Sequence, residues 1–213
     1  PVARGLRAEA ASLRGALTGN HLVSIGNLAP QFLLPILVTA IVSPAANGVF
    51  TATWRVGGTF MIVSVAVSTT LFAEISNDGG SVRRAVRRAG LVIAAILLPA
   101  ILVMLVVGRP ILRILGPDYV AGYSLLVLFL IGSIPDAVTN VSVAVLRHLR
   151  RYRFAAVLTT GMAAITLGFT AILLPEVGLD GAGWGWLLAQ TCGCMLVAGD
   201  MLRRRRAAAG AAG

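Results

Sequence analysis

The sequence predicts an all-α, polytopic membrane protein built as a bundle of six transmembrane helices. Of its 213 residues 57% are apolar and 12% charged, against about 45–50% and about 25% in soluble domains. The mean hydropathy is +0.88, and uncharged runs recur between clusters of arginine. Disorder, collagen and disulfide scaffolds are excluded by the same composition. Cys192 and Cys194 lie two apart and point to different sides of a helix, so no local disulfide or metal pair is implied.

A hydrocarbon core of about 30 Å needs about 20 helical residues. The uncharged runs Leu22 to Val42, Val56 to Ala73, Ala89 to Gly108, Phe154 to Pro175 and Gly181 to Gly199 contain 21, 18, 20, 22 and 19 residues. The second lengthens through Gly48 to Trp54, ahead of Arg55. A further run, Tyr119 to Pro135, continues past Asp136 to Leu146. Six spans result, at about 21–43, 48–75, 89–108, 119–146, 154–175 and 181–202, so that 21–202 forms one transmembrane unit. Open sheet edges do not survive in lipid, and the ten-residue alternation of barrel strands is missing, so the spans are helices.

The charge ledger sets the expected orientation. All 18 basic residues are arginine and the net charge is +10. Arg4, Arg7 and Arg14, then Arg83 to Arg88, Arg147 to Arg153 and Arg203 to Arg206 put 15 arginines on one side. Only Arg109 and Arg113 lie opposite, and Arg55 falls inside a span. By the positive-inside rule both termini are expected in the cytoplasm, as in a multi-pass protein of the inner (cytoplasmic) membrane, and nucleic acid is not an expected partner. Residues 203–213 form a basic tail suited to anionic membrane lipids. Residues 1–20 read as a cytoplasmic leader, with Leu6, Ala10, Leu13 and Leu17 on one helical face, either lying on the membrane or solvated. No cleavable signal peptide is evident, and because the chain starts at Pro1, further sequence is expected upstream.

Polar residues at membrane depth face a bundle interior or a wet cavity. Span one carries Ser24, Asn27 and Gln31 on one stripe, beside Pro30 and Pro35; span two carries Thr51, Arg55 and Thr59; span four carries Ser133, Asp136 and Asn140 beside Pro135. At 1.5 Å per residue, Arg55 lies roughly 11 Å below the outer end and Asp136 roughly 16 Å above the inner one. Two readings stay open. Arg55 and Asp136 form a buried ion pair, or Arg55 anchors a phosphate or carboxylate while Asp136 serves as its resting partner or as a proton or cation site.

Weaker signals have structural readings. Gly181 and Gly185 suit close helix packing, Trp54, Trp184 and Trp186 suit an interfacial aromatic belt, and His21 and His148 sit at span ends. Zinc, phosphate-loop and nucleophile-elbow motifs are missing and the eight acids are scattered. Neither an enzyme nor any cofactor or metal is expected.

Three segments then resemble a known family. Ala46-Asn47-Gly48-Val49-Phe50, followed by Arg55, is similar to a small-x-Gly-x-aromatic entry and its basic residue. Leu115-Gly116-Pro117-Asp118-Tyr119-Val120-Ala121 resembles a Phe-Gly-x-x-Tyr-x-x-Ala segment, and Val177-Gly178-Leu179-Asp180-Gly181-Ala182-Gly183 a Tyr-Gly-x-x-Gly-Ala-Ala segment. Together they resemble the multidrug/oligosaccharidyl-lipid/polysaccharide exporter superfamily, and within it the O-antigen type polysaccharide flippases, over nearly the whole chain. The resemblance implies a MATE-like exporter of two six-helix lobes, of which this chain matches the C-terminal one. Residues 1–20 would be the inter-lobe linker, and a missing N-terminal lobe or a second copy would be the partner. The implied substrate is a lipid-linked oligosaccharide of the undecaprenyl-pyrophosphate type, moved by alternating access for lipopolysaccharide or other surface polysaccharide. Arg55 fits the pyrophosphate-holding position; Asp136, Asn27, Gln31 and Asn140 complete the expected substrate-binding set. The alternatives are a cation-coupled multidrug antiporter using Asp136 and a non-transporting six-helix scaffold. The region around Ser76 to Gly80 lacks a proline often seen in the family.

Overall fold

A computed structural model describes the backbone of residues 2–77 and 81–210, and their side chains except those of 2–16, 74, 76, 77, 205, 208 and 209. The helices are α1 (Val2–Ile41), α2 (Pro44–Asn77), α3 (Val82–Leu115), α4 (Tyr123–His148), α5 (Tyr152–Val177) and α6 (Asp180–Gly210), with a 3-10 turn at Pro117–Gly122. All six are long and apolar enough to cross a membrane, and the fold is an all-α polytopic bundle. The backbone of the leader runs into span one as a single helix from Val2. The leader's apolar face, from Leu6 to Leu13, lies outside the described side chains.

The helices extend beyond the spans counted from uncharged runs. Arg83 to Arg88 occupy the first turns of α3, and Arg109 and Arg113 its last turns. Helical backbone satisfies its own N–H and C=O groups, so it costs little to continue past the hydrocarbon. Gly116 and Gly178 break the chain with φ of 146° and 63°, a region that side chains disfavour, and so let α4 and α6 turn back.

α4 is the most enclosed helix, with 61% of its most apolar stretch buried against 22–39% in the others. The other five form an arc around it, in the order α3, α2, α1, α5, α6, each packed on the next. The arc does not close, because α3 and α6 both pack on α4 but have little direct contact. Leu34, Val38, Phe50, Leu125, Phe129 and Leu174 cluster toward one end of the bundle, and Val23, Val143, Leu146, Leu158, Met162 and Val197 toward the other. Glycines set the closest approaches. A Cβ on Gly26 would lie 2.7 Å from the α5 backbone at Thr159, and one on Gly181 would lie 2.8 Å from the backbone at Leu173. Large side chains such as Phe32, Leu102, Val106 and Ile172 are exposed around the outside. That surface suits lipid, where packing and interhelical hydrogen bonds, not apolar burial, hold helices together.

Candidate functional site

Between the two apolar clusters lies a cavity of about 240 Å³, walled by α1, α2, α4, α5 and α6. Its polar lining is Asn27 and Gln31 from α1, Asp136, Thr139 and Asn140 from α4, Thr159 and Thr166 from α5, and Gln190 from α6. Four of the five residues expected to bind substrate therefore share one chamber. The fifth, Arg55, does not line it.

Asp136 is 5% exposed. Its Oδ2 accepts hydrogen bonds from the Ser64 hydroxyl at 2.8 Å and from Asn140 Nδ2 at 3.0 Å, and its Oδ1 accepts from Gln190 Nε2 at 3.2 Å. The Gln190 carbonyl in turn accepts from Thr139 at 2.9 Å. The ion pair that the sequence allowed between Arg55 and Asp136 is not made. Arg55 is exposed on the outer surface of α2, and uncharged donors from α2, α4 and α6 surround the carboxylate instead. Ser64, Thr139 and Gln190 escaped the sequence reading. Gln190 carried a usable signal, an amide deep within span six, whereas serines and threonines in apolar helices bond their own backbone too often to be singled out. Ser133 and Ser142 do so here, donating to Leu130 and Val138.

Trp54 and Trp186 line the chamber, with ring centroids 5.7 Å apart in a T-shaped contact, and Trp54 also stands edge-on to Phe129 at 5.0 Å. They are interior packing residues, not members of an interfacial belt; Trp184 alone of the three is exposed. A smaller cavity of about 120 Å³ adjoins, sharing Asn27, Val65, Asn140 and Val143, and reaches Ser68 and Arg147. Ser68 Oγ and Trp186 Nε1 are buried without a hydrogen-bond partner among the described residues. Unpaired donors beside a polar cavity are the kind that water satisfies.

Outside the chamber, α1 and α2 carry a polar surface. Ser24, Asn27 and Gln31 on α1 and Arg55 and Thr59 on α2 are all exposed. α1 and α2 meet at Val42 and Ser43, so Gln31 and Arg55 lie at similar depth, roughly 15 and 16 Å from that end at 1.5 Å per residue.

Residues 60–206 match the protein-family model described as "PelG: Putative exopolysaccharide Exporter (EPS-E)". The chain belongs to this exopolysaccharide exporter family. The matched segment holds Ser64, Asp136, Asn140 and Gln190, while Asn27, Gln31 and Arg55 precede it. The chain is also similar to "Probable flippase AglR" of Haloferax volcanii, 25% identical over 203 residues that cover 89% of this chain and 42% of that protein. It thus spans less than half the length of that relative. No solved structure matches it. Family and fold together make it a multi-pass membrane protein of the exopolysaccharide exporter family.

At the arginine-rich end of the bundle, Arg151 meets Asp200 through two hydrogen bonds of 2.6 and 2.9 Å, and Arg204 meets the same carboxylate at 2.9 Å. The hydrogen bonds that Arg151 donates to Asp200 push its proton affinity above its ordinary value. Arg147 Nε donates to Asn20 Oδ1 at 2.7 Å, tying α4 to α1.

Proposed function

We propose that this chain is one lobe, the C-terminal one, of a flippase that moves a lipid-linked oligosaccharide of the undecaprenyl-pyrophosphate type outward across the cytoplasmic membrane by alternating access, for O-antigen or related surface polysaccharide. The observation that carries this reading is the exposed polar face of α1 and α2. An arginine at the centre of hydrocarbon costs about 2.5–3.5 kcal/mol on insertion scales. A face bearing Arg55, Gln31, Asn27, Ser24 and Thr59 therefore belongs against a wet cleft or a second lobe. A sugar head group needs such a cleft, because dragging it through lipid would leave every hydroxyl without a partner. In this scheme Arg55 meets the pyrophosphate through its two-pronged guanidinium, and Asn27, Gln31 and Asn140 offer hydrogen bonds to the sugar. Pro30, Pro35 and Pro135 supply bends about which the lobe rocks.

The test is complementation of a strain that lacks the full-length protein. Arg55→Ala is expected to abolish surface polysaccharide at normal protein levels, with Arg55→Lys partly active. Full polysaccharide from Arg55→Ala removes the anchor role.

The second reading is a cation-coupled antiporter, favoured by Asp136, which is buried beside a polar cavity with no cationic partner among the described residues. Efflux of dyes driven by a proton or sodium gradient, lost in Asp136→Asn, would favour it. A non-transporting scaffold would leave both assays unchanged.

A further inference from the structure

The helical arc is open between α3 and α6, and the opening is a trough of about 440 Å³ floored by α4. α3 contributes Gly90, Ala94 and Leu97, α4 Val138 and Val141, and α6 Ala198. Two polar side chains also line it, and both are already occupied. Ser142 donates to Val138 O at 2.7 Å and Cys194 to Pro135 O at 3.4 Å. Nothing in the trough therefore asks for water or a polar ligand. It is also separate from the polar chamber, with which it shares no residue.

Two features specify its occupant. The first is length. On α3 the trough runs from Val86 to Leu98, roughly 18 Å at 1.5 Å per residue. Half of a bilayer core is about 15 Å, so the trough spans one leaflet, where a partner helix crossing the membrane would need both. The second is charge at one end. The trough stripe on α3, continued toward its start, passes through Arg87 and Arg83, both exposed. Arg88 lies toward the other side of the helix, where it lines a separate cavity against α2. On α6 the stripe ends at Met201, one turn before Arg204.

We infer that the α3–α6 trough is a binding site for one anionic phospholipid of the arginine-bearing leaflet, its acyl chain lying along Leu97, Ala94 and Gly90 and its phosphate held by Arg87 and Arg83. A guanidinium meets a phosphate bidentately, and long arginine side chains reach from the apolar surface to head-group level. A lipid seated there closes the arc of helices and fills the gap between α3 and α6. The inference is independent of what the polar chamber carries.

The test is native mass spectrometry of the intact protein released from bilayers of equimolar phosphatidylglycerol and phosphatidylcholine. One phosphatidylglycerol per chain is expected to be retained in preference to phosphatidylcholine. Gly90→Leu, whose new Cβ would meet open space, and Ala94→Trp fill the trough and should each displace the lipid. Arg83→Gln and Arg87→Gln should each lower the preference for phosphatidylglycerol about fivefold, the factor expected of one basic residue near a charged head group. Leu102→Trp, on another lipid-facing side of α3, should change nothing. Equal retention of the two lipids by the wild type, retention unaffected by both trough variants, or an equal loss with Leu102→Trp overturns the site. So does a protein partner retained in place of lipid. Because Gly90→Leu adds its bulk into open space, loss in that variant with an unchanged melting temperature separates displacement from unfolding.

Discussion

The hydroxyl of Ser64 on α2 donates to Oδ2 of Asp136 on α4 at 2.8 Å, joining residues 72 positions apart inside the membrane-spanning bundle. With Asn140 and Gln190 it makes a cage of neutral donors around a buried carboxylate. Gln190 is the donor to Oδ1 among the described residues, and its carbonyl also accepts from Thr139. Gln190→Leu should therefore cost about 1–3 kcal/mol, the usual penalty for a buried polar group left unpaired. Ser64→Ala, which leaves Asn140 on Oδ2, should cost about 0.5–2 kcal/mol. Unfolding in detergent checks both, and a Gln190→Leu protein as stable as wild type would show that the cage contributes no stability.

Asn27 and Gln31 line the chamber and are also exposed on the α1 face. In a background with Cys192 and Cys194 replaced by Ser, Asn27→Cys and Gln31→Cys should react several-fold faster with a membrane-impermeant maleimide than Phe32→Cys. A thiol needs water to form the reactive thiolate. Phe32, 67% exposed, points roughly 100° away from Gln31 and roughly 140° away from Asn27 at about 3.6 residues per turn, toward lipid. Equal labelling of all three positions in intact cells would contradict a wet cleft on this face.

The α5–α6 contact depends on glycine. A Cβ on Gly185 would fall 2.6 Å from Thr170 Oγ1 and 2.8 Å from Thr166 O, whereas one on Gly199 would meet nothing within 4 Å. Gly185→Ala should destabilise the bundle by about 1–3 kcal/mol through overpacking. Gly199→Ala should be neutral or slightly stabilising, since alanine is the better helix former. Thermal unfolding of the two variants in the same detergent makes the comparison, and equal melting temperatures would refute it.

Asp200 bridges Arg151 at the start of α5 and Arg204 further along α6. Partial exposure, with about a quarter of the Arg151 and Asp200 side chains accessible, limits the Arg151 pair to about 0.2–1 kcal/mol. A double-mutant cycle with Arg151→Gln and Asp200→Asn should return that coupling and show it falling with salt. A group whose folded pKa is raised gives stability that is complete below its unfolded pKa and is lost as pH rises through the folded one. For Arg151, whose proton affinity is raised above an already strongly alkaline ordinary value, that window lies far above neutrality, so the coupling should stay flat from neutral to mildly alkaline pH. A decline within that range would mean another group controls the contact.

Much of the fold was legible in composition and charge. An apolar run of about 20 residues has one stable form in lipid, so the six spans, their order and the clustering of arginine were all open to reading. The end of each helix was less so, because helical backbone continues past the hydrocarbon at little cost, which is why the α3 arginines lie on helix and not in loops. Asn27, Gln31, Asp136 and Asn140 were visible because a polar residue at depth is costly and so marks an interior.

What the sequence by itself determined was which side chains needed a polar environment; what the tertiary structure decided was which of them share it. Depth along a helix follows from counting residues, and Arg55 and Asp136 can each be assigned a height. Rotation about the helix axis and the choice of neighbour do not follow from counting. They depend on glycine contacts such as Gly57 of α2 against Phe129, Gly108 of α3 against Leu126 and Gly183 of α6 against Leu128, which fix how closely and at what angle these helices meet α4. Those contacts turn Asp136 inward to Ser64, Asn140 and Gln190 and leave Arg55 on the outer face of α2. They also hold α3 and α6 on α4 with a trough between them, a gap that no periodicity along either helix records.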